Sequence, residues 1–326
     1  MKSKISHTAK GLLFFLIFLI LLSGSSQIMR PKDNTEAQWK HDLRANGILG
    51  EPENTVDVVF FGDSEVYSSI IPLRIWEKYG YTSYDCSSSG QNLWFTMQLM
   101  VDVFDRQHPK IVVLETNAIF RYFNMDNLLL HGAELFFPIL KYHDRWKNMT
   151  FQDVMSPVDY TYRQPDKGYL FTKDINPASE KGYMTPSDGY ANIAMVNRFY
   201  VQMLANYCRH HGAKLILMST PSTRNWRMSK HNSIARLAQN LGVEYVDMNL
   251  LREEIPIDWS HDTRDYGDHM NIYGAEKVTT YIGQYLAETG LLTSHKEDPS
   301  FKSWTDALNT FKKKYKRYLT FIYGKK

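Results

Sequence analysis

The stretch VDVVFFGDSE, residues 56–65, contains the first strand of the domain and the turn that follows it. Val56 to Phe61 is a continuous apolar run that stops at Gly62, as expected for a strand buried on both faces. Four further short runs repeat the pattern: Thr82 to Cys86, Ile111 to Leu114, Leu215 to Met218 and Tyr245 to Met248. Between them the spacing is helical. Ile193, Val196, Tyr200, Met203, Leu204 and Tyr207 recur along one helix face that ends at Gly212. His210 and His211 close that helix, and their reading is favourable placement near its C-terminus rather than a ligand role. Strands alternating with helices predict an α/β fold with a central five-stranded parallel sheet, covered by helices on both faces. Functional side chains then collect at the carboxyl ends of the strands.

Gly62-Asp63-Ser64-Glu65 follows strand one directly, where a serine projects from the sheet edge and the next helix aims backbone N–H groups at an incoming oxyanion. Asp and Ser are also ordinary turn and N-cap residues, so the position after a strand carries the argument more than the tripeptide does. The elbow GxSxG is absent, because Val66 stands where its second glycine would be. A serine hydroxyl needs a base. Asp265-Tyr266-Gly267-Asp268-His269-Met270-Asn271 precedes an amphipathic helix bearing Val278, Tyr281, Ile282 and Tyr285. His269 lies in a loop after the last core strand, so it can return to the same sheet edge as Ser64, with a nearby carboxylate holding its tautomer.

A chain of 326 residues with 43% hydrophobic content buries a full core and favours one large domain with appendages. Its 38 Lys and Arg against 35 Asp and Glu create no strong field, which makes nucleic acid a poor partner. Two cysteines cannot form a disulfide framework, and no CxxC or HExxH spacing offers a metal site. No metal or cofactor is expected. Lys2, Lys4 and Lys10 precede the apolar run Leu12 to Leu22, the n-region and h-region of a secretory signal. Ser23-Gly24-Ser25 supplies small residues for cleavage, while Ile28 and Met29 prolong the run towards spanning length. Residues 1–30 are therefore expected as an uncleaved signal anchor, with a cleaved signal peptide as the alternative.

Residues 31–295 form the expected catalytic domain. Within it an insertion at about 120–190 breaks the alternation and carries Phe136, Phe137, Tyr142, Trp146, Tyr160, Tyr162, Tyr169 and Phe171. Aromatic faces suit sugar rings, but filling a small satellite core is the preferred reading for most of them. In the C-terminal tail, 296–326, Lys312-Lys313-Lys314-Tyr315-Lys316-Arg317 is followed by Tyr318, Leu319, Phe321 and Ile322. That combination suits an anionic membrane surface or, equally, a solvated helix.

Gly62-Asp63-Ser64, Gly90, Asn117 and the C-terminal Asp and His together resemble the four blocks of the SGNH, or GDSL-like, hydrolase superfamily, spread from Val56 to Leu292. The resemblance implies a flavodoxin-like three-layer α/β/α sandwich and a Ser-Asp-His triad. It also implies an oxyanion hole made by the Ser64 N–H, the Gly90 N–H and the Asn117 side chain. Asn117 departs from the usual block, having Glu115-Thr116 and Ala118 as neighbours. The usual aspartate lies three residues before the histidine, where this chain has Tyr266; Asp265, Asp268 and Asp262 are the candidates. Asp265 can fold back through one turn to the imidazole, while the side chain of adjacent Asp268 tends to point away. Asp265 is the first choice and Asp268 the second.

Gly62 to Pro72 and Asp268 to Ala275 look like the membrane-bound envelope branch of that superfamily, exemplified by the D-alanyl transfer protein of teichoic acid synthesis and by alginate O-acetylation proteins. Such relatives work beside a membrane-bound O-acyltransferase. The resemblance implies a protein of the cell membrane, or a secreted one, whose extracytoplasmic domain passes an acetyl or D-alanyl group to a cell-envelope polysaccharide. An envelope esterase or deacetylase and a non-catalytic polysaccharide-binding scaffold are the alternatives.

Overall fold

All five residues of β1 (Val58–Gly62) are buried, because the strand lies inside the sheet with a parallel neighbour on each edge. The computed structural model describes residues 6–35, 42–121 and 128–322. Lys2 and Lys4 of the basic N-terminal region lie outside the described residues. The other strands are β2 (Ser83–Ser87), β3 (Ile111–Glu115), β4 (Lys214–Ser219) and β5 (Glu244–Asp247). They pair in the order β2-β1-β3-β4-β5, every pair parallel. This is the flavodoxin-like order, with its switch point between β1 and β3. Strand one begins two residues later than the apolar run suggests. Just before it, the Asp57 carbonyl still accepts the Ile111 N–H, and its carboxylate meets Lys110 and His295 at the amino edge.

In chain order the helices are α1 (His7–Met29), α2 (Leu43–Asn46), α3 (Ser64–Ser69), α4 (Pro72–Tyr79), α5 (Leu93–Phe104), α6 (Leu128–Phe136), α7 (Pro138–Tyr142), α8 (Phe151–Met155), α9 (Met195–His210), α10 (Met228–Leu241), α11 (Ile272–Glu288) and α12 (Lys302–Ile322). α11 packs on α3 and α4, and α12 on α4; α5 and α10 pack against α9. These two helical layers flank the sheet. His210 lies in the last turn of α9 and His211 caps it, its ring tilted against those of Tyr207 and Phe104.

The chain divides into two compact units, Met1–Trp39 with Asn124–Thr161, and Lys40–Phe123 with Tyr162–Lys326. The larger unit holds the sheet. The aromatic insertion is thus shared: 124–161 belongs to the smaller unit and 162–190 to the larger. Its aromatics do not form one satellite core. Tyr142, Tyr160 and Tyr169 are buried and Phe137, Tyr162 and Phe171 half-buried, but Phe136 and Trp146 are exposed.

The C-terminal stretch is a helix of the larger unit. Trp304, Leu308, Phe311, Tyr315 and Leu319 recur every three or four positions along α12 and are buried. Trp304 meets Trp76 of α4, and Tyr315 stacks on Phe171 at 3.9 Å. The aromatic side of this basic segment is spent on the protein core, and Lys313, Lys314, Lys316 and Arg317 form its solvent face.

In the smaller unit, α1 is apolar and mostly exposed, and is long enough to cross a membrane by length and composition. Its 23 residues extend about 34 Å.

Candidate active site

β1 delivers Ser64 to the carboxyl edge of the sheet. Asp63 caps α3, its Oδ1 accepting the Glu65 N–H at 3.0 Å, so Ser64 is the first helical residue and its N–H has no partner within the helix. Gly62 is required by space. A Cβ there would lie 2.7 Å from both Glu115 Cβ and Val66 Cγ2.

The loop after β5 brings His269 to the same edge. Its Nε2 lies 2.6 Å from Ser64 Oγ, and its Nδ1 lies 2.6 Å from Asp265 Oδ2. Asp265 Oδ1 also accepts the His269 backbone N–H at 2.7 Å, so one carboxylate holds both the ring and the main chain of the histidine. This clasp needs a sharp reversal between the two residues. Tyr266 and Gly267 supply it with φ values of 64° and 89°, and a Cβ on Gly267 would run into Thr223 Oγ1. The loop is fastened by the Gly267 N–H to Thr263 Oγ1 and by the Ser222 hydroxyl donating to the Gly267 carbonyl. Burial raises the Asp265 pKa, but hydrogen bonds from the His269 ring and N–H, with the charges of His269 and Arg264, outweigh it and hold the carboxyl below its usual range.

The two other candidate aspartates are engaged elsewhere. Asp268 Oδ2 is 3.8 Å from His269 Nδ1, while its Oδ1 accepts from Asn225, whose amide nitrogen also reaches Glu65 Oε1 at 2.7 Å. Asp262 is buried against Lys277 and His261, at 2.6 and 3.0 Å. Asp265, Asp268 and His269 present ligand atoms within 4.8 Å of one another, a spacing compatible with a cation. An ion there would compete with Asp265 and Ser64 for the two ring nitrogens.

Asn117 follows β3 and reaches this edge, but its amide is already oriented by neighbours. Nδ2 donates to Asp63 Oδ2 at 3.0 Å, and Oδ1 accepts from Lys230 Nζ at 3.0 Å. One of its two amide protons is left over. Gly90 occupies a turn after β2 with φ of 65°, and a Cβ there would approach Arg121 Nη1 at 3.9 Å.

Four residues of this network were not singled out from sequence: Glu115, Arg121, Asn225 and Lys230. Arg121 donates from Nε and Nη2 to Asp63 Oδ2, at 2.7 and 2.5 Å. Glu115 accepts the Asn117 N–H on both carboxylate oxygens. Asp63, Glu65 and Glu115 therefore form a buried acidic group beneath Ser64. Burial, then the Asp63 and Glu115 charges, push the Glu65 carboxyl well up, against the pull of Asn225. Burial and then Asp63 do the same to Glu115, opposed by the Asn117 N–H, Lys230 and Arg121. Burial lowers the Lys230 ammonium. Glu115 had a local signal, a charge ending an apolar strand. Arg121 and Lys230 had none, lying 58 positions from Asp63 and 113 from Asn117.

No protein-family model matches the chain, and no curated protein sequence matches it significantly. Among solved structures it is similar to an acylhydrolase from Bacteroides fragilis, at 14% identity and a TM-score of 0.37, over 77% of this chain and 99% of that one. It is similar to a GDSL-like lipase from Bacteroides thetaiotaomicron at 14% identity and 0.35, over 71% and 88%. It is also similar to a lipase/acylhydrolase from Enterococcus faecalis at 10% identity and 0.40, over 72% and 96%.

Proposed function

We propose that this chain is an SGNH-type serine acyl-transferring enzyme with Ser64 as nucleophile, His269 as general base and Asp265 as the group that holds the imidazole. The carrying observation is the unbroken line of two 2.6 Å hydrogen bonds from Ser64 Oγ through His269 to Asp265. In the first half-reaction His269 Nε2 takes the Ser64 proton as Oγ bonds to the carbonyl carbon of an ester, and then returns it to the departing alkoxide oxygen. The acyl group is left on Ser64. In the second half-reaction His269 deprotonates a hydroxyl that attacks the acyl-enzyme, and the proton comes back to Ser64. Asp265, held ionised, stabilises the imidazolium in both halves. The Ser64 N–H, the Gly90 N–H and the second amide proton of Asn117 are the donors assigned to the oxyanion.

The finer reading is acetyl or D-alanyl transfer to a cell-envelope polysaccharide outside the cytoplasm, beside a membrane-bound O-acyltransferase. It is supported by the apolar α1 and by the resemblance of Gly62 to Pro72 and Asp268 to Ala275 to the envelope branch. We read α1 as an uncleaved anchor.

A fluorophosphonate probe tests the nucleophile. Wild type is expected to be labelled and Ser64→Ala unlabelled; a wild type without serine-dependent labelling would leave only a binding scaffold. Product analysis with and without a glycan acceptor tests the transfer. Free acid as the sole product in the presence of acceptor would make the protein an esterase.

A further inference from the structure

Outside α1, the most exposed apolar side chains among the described residues of the smaller unit come from one short region. Phe136 is 79% exposed, Trp146 67%, Phe151 79% and Met155 69%. Single exposed apolar residues are ordinary, but several large ones drawn from one 20-residue stretch point to a covering phase.

The same region is tied to one end of α1. Leu22, Ser25, Ser26 and Met29 are half-buried or buried, and their spacing places them on one face of the last two turns, whereas residues 6–18 are all exposed. α7 and α8 pack on α1. The Ile139 N–H donates to Ser26 Oγ at 3.4 Å, and Arg145 Nη1 donates to the carbonyls of Met29 and Arg30 at 2.7 and 2.8 Å, closing the open C-terminus of the helix. Asp153 lies 3.5 Å from that guanidinium. Past the helix, the Asp159 N–H donates to the Lys32 carbonyl, and Thr161 bonds Asp33.

Depth follows from these ties. A helix extending about 34 Å just exceeds a hydrocarbon core of about 30 Å, so its last turns lie at the outer boundary. Leu22 to Met29 covers about 10 Å of axis, matching the 5–10 Å to which interfacial segments sink. The composition suits that level: Trp146 is flanked by Arg145 and Lys147, an aromatic ring with cationic neighbours, as at membrane interfaces.

We propose that the region from α6 to α8 lies in the outer interface of the bilayer that α1 crosses, with Phe136, Trp146, Phe151 and Met155 reaching the acyl-chain boundary. The occupant is phospholipid, because α7 and α8 pack on a helix that itself requires lipid. The inference rests on reading α1 as an uncleaved anchor. It adds a second, non-spanning attachment.

Nitroxide labels on single cysteines test it in the full chain, reconstituted in phosphatidylcholine and phosphatidylglycerol vesicles. Native Cys86 and Cys208 are buried and leave the background low. Ile17→Cys reports on α1, Phe136→Cys and Phe151→Cys on the patch, and Met195→Cys on exposed surface of the larger unit, with circular dichroism checking each fold. Labels at 17, 136 and 151 are expected to meet oxygen in preference to a water-soluble nickel complex, and the label at 195 to show the reverse. Nickel access at 136 and 151 with lipid access at 17 overturns the proposal and spares the anchor. Nickel access at 17 overturns both. Shielding of 136 and 151 from both reagents overturns it in favour of a protein partner.

Discussion

His269 Nε2 lies 2.6 Å from Ser64 Oγ across 205 positions of sequence. The serine is held by the end of β1 and the histidine by a loop beyond β5, so the pair exists only when the whole sheet is assembled. The clasp between Asp265 and His269, by contrast, spans four positions and is local.

That contrast separates the two aspartates. Asp265→Asn retains the fold but presents an amide where a carboxylate held the ring, and ester hydrolysis is expected to fall by about 10⁴ in kcat. Asp268→Asn is expected to cost less than about tenfold, since its carboxylate is 3.8 Å from the ring and bonded to Asn225. Hydrolysis of p-nitrophenyl acetate decides it. A larger loss in Asp268→Asn would reverse the assignment.

Arg121 balances Asp63, a carboxylate with no exposed surface. Arg121→Ala leaves that charge to Asn117 and the Glu65 N–H, and is expected to cost about 2–4 kcal/mol, read as a lower urea midpoint. Adding Asp63→Asn should return part of the loss, because the penalty belongs to an uncompensated buried charge. Additive losses in the double variant would refute the pairing.

Stability is expected to decline as pH rises from about 4.5 to 7. Burial pushes the Glu276 carboxyl up to about 7, with Arg74 pulling the other way. Between the unfolded value near 4.5 and the folded value, the native state holds more protons than the unfolded chain, so its contribution is complete below 4.5 and lost through 7. The effect amounts to about 3 kcal/mol, and Glu65 and Glu115 act in the same direction. Urea midpoints from pH 5 to 8 should fall in wild type and change less in Glu276→Gln; identical slopes would contradict this.

Gly267→Ala tests the reversal that forms the clasp. The substitution combines a positive φ with a collision against Thr223 Oγ1, and is expected to destabilise by about 1–3 kcal/mol and to lower kcat with it. The reference is Gly242→Ala, also at positive φ but with open space around its Cβ position, which should lose stability and keep kcat. Equal kcat in the two variants would detach the loop from the chemistry.

Much of the architecture was legible from short-range pattern. Five short runs became five parallel strands, displaced by at most two residues; β1, β3 and β4 are apolar through their interiors, as strands buried on both faces tend to be, whereas β2 carries Asp85 and β5 opens on exposed Glu244. Ser64 was visible because it directly follows one of them. Position after the last strand pointed His269 to the edge where its ring meets Ser64, and one turn of reach favoured Asp265, which bonds that ring.

The environment of the serine was not legible in the same way. Arg121, Asn225 and Lys230 sit in stretches without distinctive pattern and acquire meaning only from what they face. Equally, the aromatic residues of 124–161 and of α12 look alike in composition. Packing buries one set on α4 and leaves members of the other exposed beside α1. Periodicity and turn chemistry act over a few residues, so the chain records them in its own order. Charge compensation and side-chain burial are summed over neighbours brought together from distant positions, and those neighbours are chosen only when the sheet closes.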